Sequence, residues 1–527
     1  MTAPSAPRRS GVMVPLFSLS TRRSWGIGEF ADLPAFAAWC RAAGQTVIQL
    51  LPLNEMSPGE SSPYSSMTAM ALDPLYIAVP DVPDFVALGG EEGLPGSDRE
   101  ALMAVRNAER LRYADVRALK DTWLRRSFVR FSREEVAADS PRAAAFEAYC
   151  AQEAWWLDEY ARFRAIHAWQ HERAWWDWPA ELRAAEAAAV AAAGNELAAE
   201  VRYRAWLQWL AAGQWQAARR ASRLAVFGDL PFMVSADSPD VWARQSEFRF
   251  DTTVGVPPDA FSATGQDWGL PPWRWEVMAA NGFTWMKARA RRTAALYDGI
   301  RLDHLVGLYR TYMRYKEKPE PPADPGFFVP GDEAAQTGLG EQLVRLYQDS
   351  GVEVVAEDLG VVPDFVRASI TALGVPGFKV MRWERQWTVD RQPLVEPADY
   401  PDLSVALTGT HDTETLVEWW AAAPDEERAG LLALPHVARR LPAEPPPFVP
   451  RVRDAILQTL EDSGSRLVIL PLQDVFGWDD RINRPATVGQ ENWTWRVPQK
   501  ADEWRDAADW VERARALRNW TRQAGRT

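Results

Sequence analysis

Eight short apolar runs recur along the chain, most of them separated by helical segments, and this alternation restricts what the polypeptide can fold into. They cover residues 13–17, 47–53, 224–229, 299–303, 352–357, 377–383, 404–408 and 466–470. Runs this short read as buried strands, and strands joined through helices run parallel. Eight of them predict an α/β fold of the (β/α)8 barrel type, in which functional side chains gather at the C-terminal strand ends.

Those ends carry carboxylates. The third, fourth and fifth runs finish at Asp229, Asp303 and Glu357, and the seventh leads through Thr410 and His411 into Asp412. A barrel brings these groups to one pocket, where crowding of like charge is costly unless chemistry uses it. Only five histidines are present, and two of them, His304 and His411, adjoin these carboxylates.

Arg301 and Asp303 alternate on a strand and therefore point the same way. A guanidinium so placed orients the carboxylate and keeps it ionised. By itself the triplet also describes an ordinary ion pair capping a strand; the surrounding carboxylates favour chemistry. Retaining glycosyl transfer needs an ionised nucleophile and a protonated acid roughly 5–5.5 Å apart. Asp303 suits the nucleophile. Glu357, on the neighbouring strand and beside a charged group, suits the acid. Asp412 with His411 is placed to hold sugar hydroxyls and to favour an oxocarbenium-like transition state.

Composition narrows the partners. A net charge of −13 argues against nucleic acid or an anionic membrane. No apolar run reaches the roughly 18 residues of a membrane span, and the first ten residues lack a signal-peptide core. Cys40 and Cys150 form neither a disulfide framework nor a zinc spacing, so a cytoplasmic protein is expected. His167 and His171, four apart, read as partly exposed helical residues without a third ligand. The sequence shows no sign of a metal centre or of a phosphate-binding glycine-rich loop. Tryptophan is abundant, 27 residues, and indoles both stack on sugars and fill cores. Those within 154–156 and 174–178 lie in helical stretches and read as core.

The sequence divides into a first part of the barrel (11–97), a helical insertion (98–222), the remainder of the barrel (223–500) and a C-terminal helix (501–527). A glucan platform and a subunit contact both remain open for the insertion.

Several stretches resemble the signatures of the 4-α-glucanotransferases, the amylomaltases or disproportionating enzymes of glycoside hydrolase family 77. They include Gly299-Ile-Arg301-Leu-Asp303-His304, Ala356-Glu357-Asp358-Leu-Gly360, Thr408-Gly-Thr-His411-Asp412 and Gly228-Asp229-Leu-Pro231. Ser62-Pro63-Tyr64-Ser65, Gly265-Gln266-Asp-Trp268-Gly269, Asn483-Arg-Pro485 and Asn492-Trp493-Thr-Trp495-Arg496 also match, in order along the chain. The resemblance implies a barrel with inserted subdomains and no separate C-terminal β-domain. It implies transfer of an α-1,4-glucan segment to the 4-hydroxyl of an acceptor sugar, without cofactor. Asp303 would be nucleophile, Glu357 acid/base and Asp412 transition-state stabiliser, with Asp229, Arg301 and His411 assisting. Residues 254–275 would form a lid over the cleft, with Phe261, Gln266 and Trp268 touching sugar. Tyr64 and Asn483 would add substrate contacts. Ala260, Leu270-Pro271-Pro272 and Thr413-Glu414 depart from the commonest family pattern. The alternatives are a retaining α-glucan hydrolase of the α-amylase type and a non-catalytic glucan-binding protein.

Overall fold

The computed structural model describes residues 7–258, 265–317, 326–441, 447–485, 487 and 489–526. Eight parallel strands close into a barrel: β1 (Arg9–Met13), β2 (Val47–Gln49), β3 (Ala225–Leu230), β4 (Gly299–Leu302), β5 (Glu353–Ala356), β6 (Gly377–Val380), β7 (Ser404–Leu407) and β8 (Leu467–Pro471). Each pairs with its sequence neighbour, and β8 returns to β1. Their almost wholly apolar composition follows from burial on both faces, barrel interior and helical coat.

Seven strands fall within or at the edges of the runs read from the sequence. The first is displaced: residues 13–17 were expected, and β1 is Arg9–Met13. Pro15 has no N–H to give a ladder, and Leu16–Ser18 turns into a 3-10 helix. The polar start of β1 hides it from an apolar search. Ser10 is nonetheless buried, its hydroxyl lying 2.7 Å from Glu461 Oε1 and 2.9 Å from Gln45 Oε1.

The helix Leu33–Ala42 follows β1 and buries Leu33, Phe36, Ala37, Trp39 and Cys40. It stops at Gly44, whose φ of +74° suits glycine and where a Cβ would lie 2.7 Å from Thr521 Oγ1 of the C-terminal helix Ala508–Gln523. Close approach also fixes Gly228 in β3, since a Cβ there would sit 2.6 Å from the Tyr297 ring. The connection from β6 to β7 has no α-helix. Residues 381–403 run instead through a β-bridge between Arg385 and Leu394 and a 3-10 turn at Pro397–Asp399.

Between β2 and β3 the chain is largely helical, with Gly96–Arg106, Tyr113–Arg130, Pro141–Trp169, Ala187–Glu196 and Ala198–Ser222 as its principal helices. Pro141–Trp169 starts on a Ser140 cap that accepts from Ala143 N, with Pro141 in the first turn where no N–H is needed. Aromatic rings fill the space between these helices: Phe131 contacts Phe146, Trp206 and Trp209, and Trp206 and Trp215 are fully buried. Trp156, Trp175 and Trp178 are core residues as well, whereas Trp169 and Trp176 are about half exposed. The histidine reading needs correction. The helix ends at Trp169, so His171 lies beyond it with φ +58°, and His167 is wholly buried. Its ring nitrogens sit 2.6 Å from Glu172 Oε2 and 2.9 Å from Asp237 Oδ2.

A second sheet lies beyond β3. Its strands, in order Gln266–Asp267, Thr252–Val256, Thr311–Tyr315 and Phe327–Val329, are antiparallel. The segment read as a lid loop thus begins and returns as strands, with Trp268 N donating to Val254 O at 2.9 Å. At the opposite end of the barrel the fully buried Arg526 donates to the carbonyls of Glu461, Ser463 and Ser465 and, at 3.1 Å, to that of Arg9. No helix among the described residues is long and apolar enough to cross a membrane.

Candidate active site

Strand register assembles the centre. Asp229 on β3 pairs with Arg301 on β4, and Leu302 pairs with Ala356 on β5, so Asp303 and Glu357 emerge side by side one residue further on. Arg301 is buried, and its Nη1 lies 2.8 and 2.7 Å from the two oxygens of Asp229. Its Nη2 is 2.9 Å from Asp303 Oδ1 and 4.0 Å from Glu357 Oε2. One guanidinium therefore sets three carboxylates. Burial opposes its charge, but Asp229 and Asp303 outweigh that and hold its pKa well above the ordinary value.

Glu357 accepts from His304 N at 2.9 Å and Leu359 N at 3.1 Å. Burial, the largest influence, pushes its pKa up to about 7; Arg301 pulls it down, and Asp303 adds to the rise. The charged neighbour invoked from the sequence does contribute, but removal from water counts for more.

Asp412 stands across the pocket, with His411 Nε2 at 3.1 Å from Oδ2 and Asn483 Nδ2 donating to Oδ1 at 2.6 Å. Burial opposes its ionisation, yet the His411 charge and the hydrogen bonds from His411 and Asn483 prevail and hold it at about 2. Two carboxyl groups of the site are thus poised oppositely, Glu357 to keep a proton near neutrality and Asp412 to stay charged.

Tyr64 joins the two halves. Its hydroxyl donates to Asp229 Oδ2 at 2.7 Å, and its ring stacks on His411 at 5.0 Å with a 17° interplanar angle. Burial first, then the Asp229 charge, push the phenol pKa well up, so it remains a donor. Trp493 completes the aromatic wall at 5.7 Å from both Tyr64 and His411. The sequence reading gave it no role, although it sits in a quoted signature stretch. Arg481 was missed too; it donates to the main-chain carbonyls of Asp412 and Asn483, both at 2.8 Å, and so braces the backbone that carries these two residues.

Trp268 reaches the site through a ring contact with His304 at 4.9 Å, and its indole N–H donates to Gln266 Oε1 at 3.1 Å. Gln266 is therefore tied to Trp268. Phe261 and Ala260 lie outside the described residues. Thr413 and Glu414 have local roles. Thr413 Oγ1 closes the turn on Thr410, and Glu414 lies 3.5 Å from both Arg382 and Arg481. Among the described residues no group of three or more His, Cys, Asp or Glu side chains is arranged to hold a metal ion.

A buried arginine setting several carboxylates at the C-terminal rim of a (β/α)8 barrel, beside an aromatic wall, defines a carbohydrate-active enzyme. The comparisons give the family. A family model described as 4-alpha-glucanotransferase matches residues 14–501. The chain is 31% identical over 515 residues to a 4-alpha-glucanotransferase of Chlamydia pneumoniae, covering 94% of this chain and 92% of that protein. It is 32% identical over 514 residues to one of Thermus thermophilus, covering 93% and 95%. Among solved structures, an amylomaltase from Streptococcus agalactiae in complex with acarbose superposes with a TM-score of 0.81 at 26% identity, over 98% of this chain and 99% of that one. The chain belongs to the 4-alpha-glucanotransferase family, glycoside hydrolase family 77.

Proposed function

We propose that this enzyme disproportionates α-1,4-glucans and maltooligosaccharides by a retaining double displacement through Asp303. The observation that carries this reading is the shared guanidinium of Arg301, with Asp303 and Glu357 within 4.0 Å of one nitrogen and Glu357 held at about 7. Carboxyl groups converging on one guanidinium nitrogen suit the closely spaced nucleophile and acid of a retaining enzyme.

An Asp303 oxygen attacks C1 of the donor sugar while Glu357 delivers its proton to the departing O4, releasing the reducing-end fragment. The resulting glycosyl ester is then attacked at C1 by the 4-hydroxyl of an acceptor, which gives its proton to Glu357 as the ester bond breaks. Asp412, ionised and fixed by His411 and Asn483, faces the positive charge that develops at the ring. Asp229 and Tyr64 hold Arg301 and so set the nucleophile. Trp268 and Gln266, on the hairpin beside the cleft, contact sugar and limit water, as does Phe261 in this reading. A cytoplasmic setting accords with two unpaired thiols, one of them buried.

Maltotriose as sole substrate tests the reading. Glucose together with a ladder of longer oligosaccharides, with no rise in reducing ends, is the expected result. Glucose and maltose with a matching rise in reducing ends and no ladder would make it a hydrolase. Asp303→Asn is expected to abolish transfer, and transfer surviving that change would refute the mechanism.

A further inference from the structure

His304 follows the candidate nucleophile directly, and its peptide N–H donates to Glu357. Its backbone is left-handed, φ +45°, a conformation disfavoured for a residue with a side chain and retained where surroundings impose it. Those surroundings are aromatic. The imidazole is wedged edge-to-face between Trp268, at 4.9 Å, and Phe232, at 5.6 Å. Gly307 closes the third side, where a Cβ would come within 2.8 Å of the imidazole and 2.7 Å of the Phe232 ring. The backbone conformation held in this way aims the N–H at Glu357 Oε2, 2.9 Å away.

The same segment is tied to the hairpin that carries Trp268. Four residues of helix, Val306–Tyr309, lead from His304 into the strand Thr311–Tyr315, which pairs with Thr252–Val256. Trp268 N in turn donates to Val254 O, and Trp275 Nε1 meets Thr311 Oγ1 at 3.2 Å. The candidate acid/base and the hairpin thus share one structural unit, with His304 at its inner end.

We propose that His304 is a positioning residue through which the Trp268 hairpin sets the geometry and acidity of Glu357. With the imidazole clamped, the peptide N–H is held on Glu357, and the packed rings keep water from it. Without the ring contact Glu357 becomes better solvated, and its pKa falls toward that of an ordinary carboxyl group; a loosened His304 N–H bond acts the other way but is the smaller influence. The imidazole serves here as an uncharged wedge: burial, reinforced by Arg301 and opposed by Asp303, holds its own pKa at about 4. The charged groups facing Glu357 are Arg301 and Asp303. Asp358 is turned away, accepting from Arg367 at 2.6 Å and Phe378 N at 2.7 Å.

This inference rests on Glu357 acting as acid and base, and its test separates the two. Glucose release from maltotriose is followed against pH for wild type, His304→Ala, His304→Gly, Trp268→Ala and the double variant His304→Ala/Trp268→Ala. Wild-type activity surviving in Glu357→Gln would overturn the acid/base reading itself. With that reading standing, the basic limb is expected to move to lower pH by about half a unit or more in each single variant. The double variant should move no further than the larger single shift, because both changes break one contact. His304→Gly, which adopts the left-handed backbone freely, should behave like His304→Ala. A limb unmoved in His304→Ala, additive shifts in the double variant, or a wild-type limb in His304→Gly would each refute the proposal. Thermal melting accompanies every variant. If the His304 changes prevent folding, Trp268→Ala against Trp268→Phe decides: a shift in the first alone supports the coupling, and no shift in the first refutes it.

Discussion

Nη1 of Arg301 lies 2.8 and 2.7 Å from the two oxygens of Asp229, so the guanidinium is pinned from behind before its other nitrogen reaches the cleft. That leaves Nη2 free to address Asp303 at 2.9 Å. A lysine presents one point charge and cannot serve both carboxylates in fixed directions. Arg301→Lys should therefore lower kcat/KM for maltotriose disproportionation by about a hundredfold or more while keeping the net charge. Steady-state kinetics with a parallel melting curve check this, and an effect confined to KM would show that Arg301 only binds substrate.

The covalent step can be isolated by removing the need for an acid. A glycosyl fluoride carries a leaving group that departs without protonation, whereas the acceptor still needs a base. Glu357→Gln should consequently react with α-maltosyl fluoride to accumulate the ester but turn over slowly. Mass spectrometry of the digested protein should find the added sugar on the peptide containing Asp303. Label on another residue would move the nucleophile elsewhere.

Burial holds Glu357 at about 7, against the pull of Arg301. As general acid it must be protonated in the first step, so activity should fall as pH rises through about 7, giving the basic limb of the profile. Asp412, at about 2, stays ionised across the working range. Asn483→Ala removes the 2.6 Å hydrogen bond that helps hold it there. It should lower kcat by about tenfold or more without moving the basic limb. A displaced basic limb in Asn483→Ala would assign that titration to the Asp412 side of the pocket.

Much of this site could be read before the fold was seen, for a physical reason. The carboxylates stand at strand ends, strands announce themselves as short apolar runs, and register then brings Asp229, Arg301, Asp303 and Glu357 together. What escaped detection has no such local signature. β1 begins with Arg9 and Ser10, whose side chains find partners remote in sequence, Glu353 for Arg9 and Glu461 for Ser10. Trp493 and Arg481 reach the pocket from late loops, and one indole among 27 carries no mark of its position. His167 reads as a surface residue because Asp237, 70 positions on, meets it only through tertiary packing, and Glu172 only because the chain turns back just past the helix end. Even the cause of the Glu357 shift was harder to weigh than its direction, because solvent exclusion cannot be judged from spacing alone.

Arg526 gives a stability prediction of the same kind. It is fully buried, donates to five backbone carbonyls at the foot of the barrel, and lies 3.6 Å from the equally buried Glu461. Burial pushes Glu461 up to about 7 even with Arg526 beside it. Arg526→Ala would leave that carboxylate unpaired and the carbonyls unsatisfied, a change expected to cost about 3–5 kcal/mol at pH 8. The sign of the pH dependence follows from the raised pKa. An unfolded glutamate ionises near 4.5 and the folded one near 7, so ionising Glu461 costs stability progressively as pH rises between those values. Below about 4.5 both states hold the proton and the penalty vanishes. The deficit of Arg526→Ala relative to wild type should therefore be larger at pH 8 than at pH 5, measured by urea unfolding at both. A deficit independent of pH would show that the carbonyl contacts, and not the ion pair with Glu461, are what Arg526 contributes.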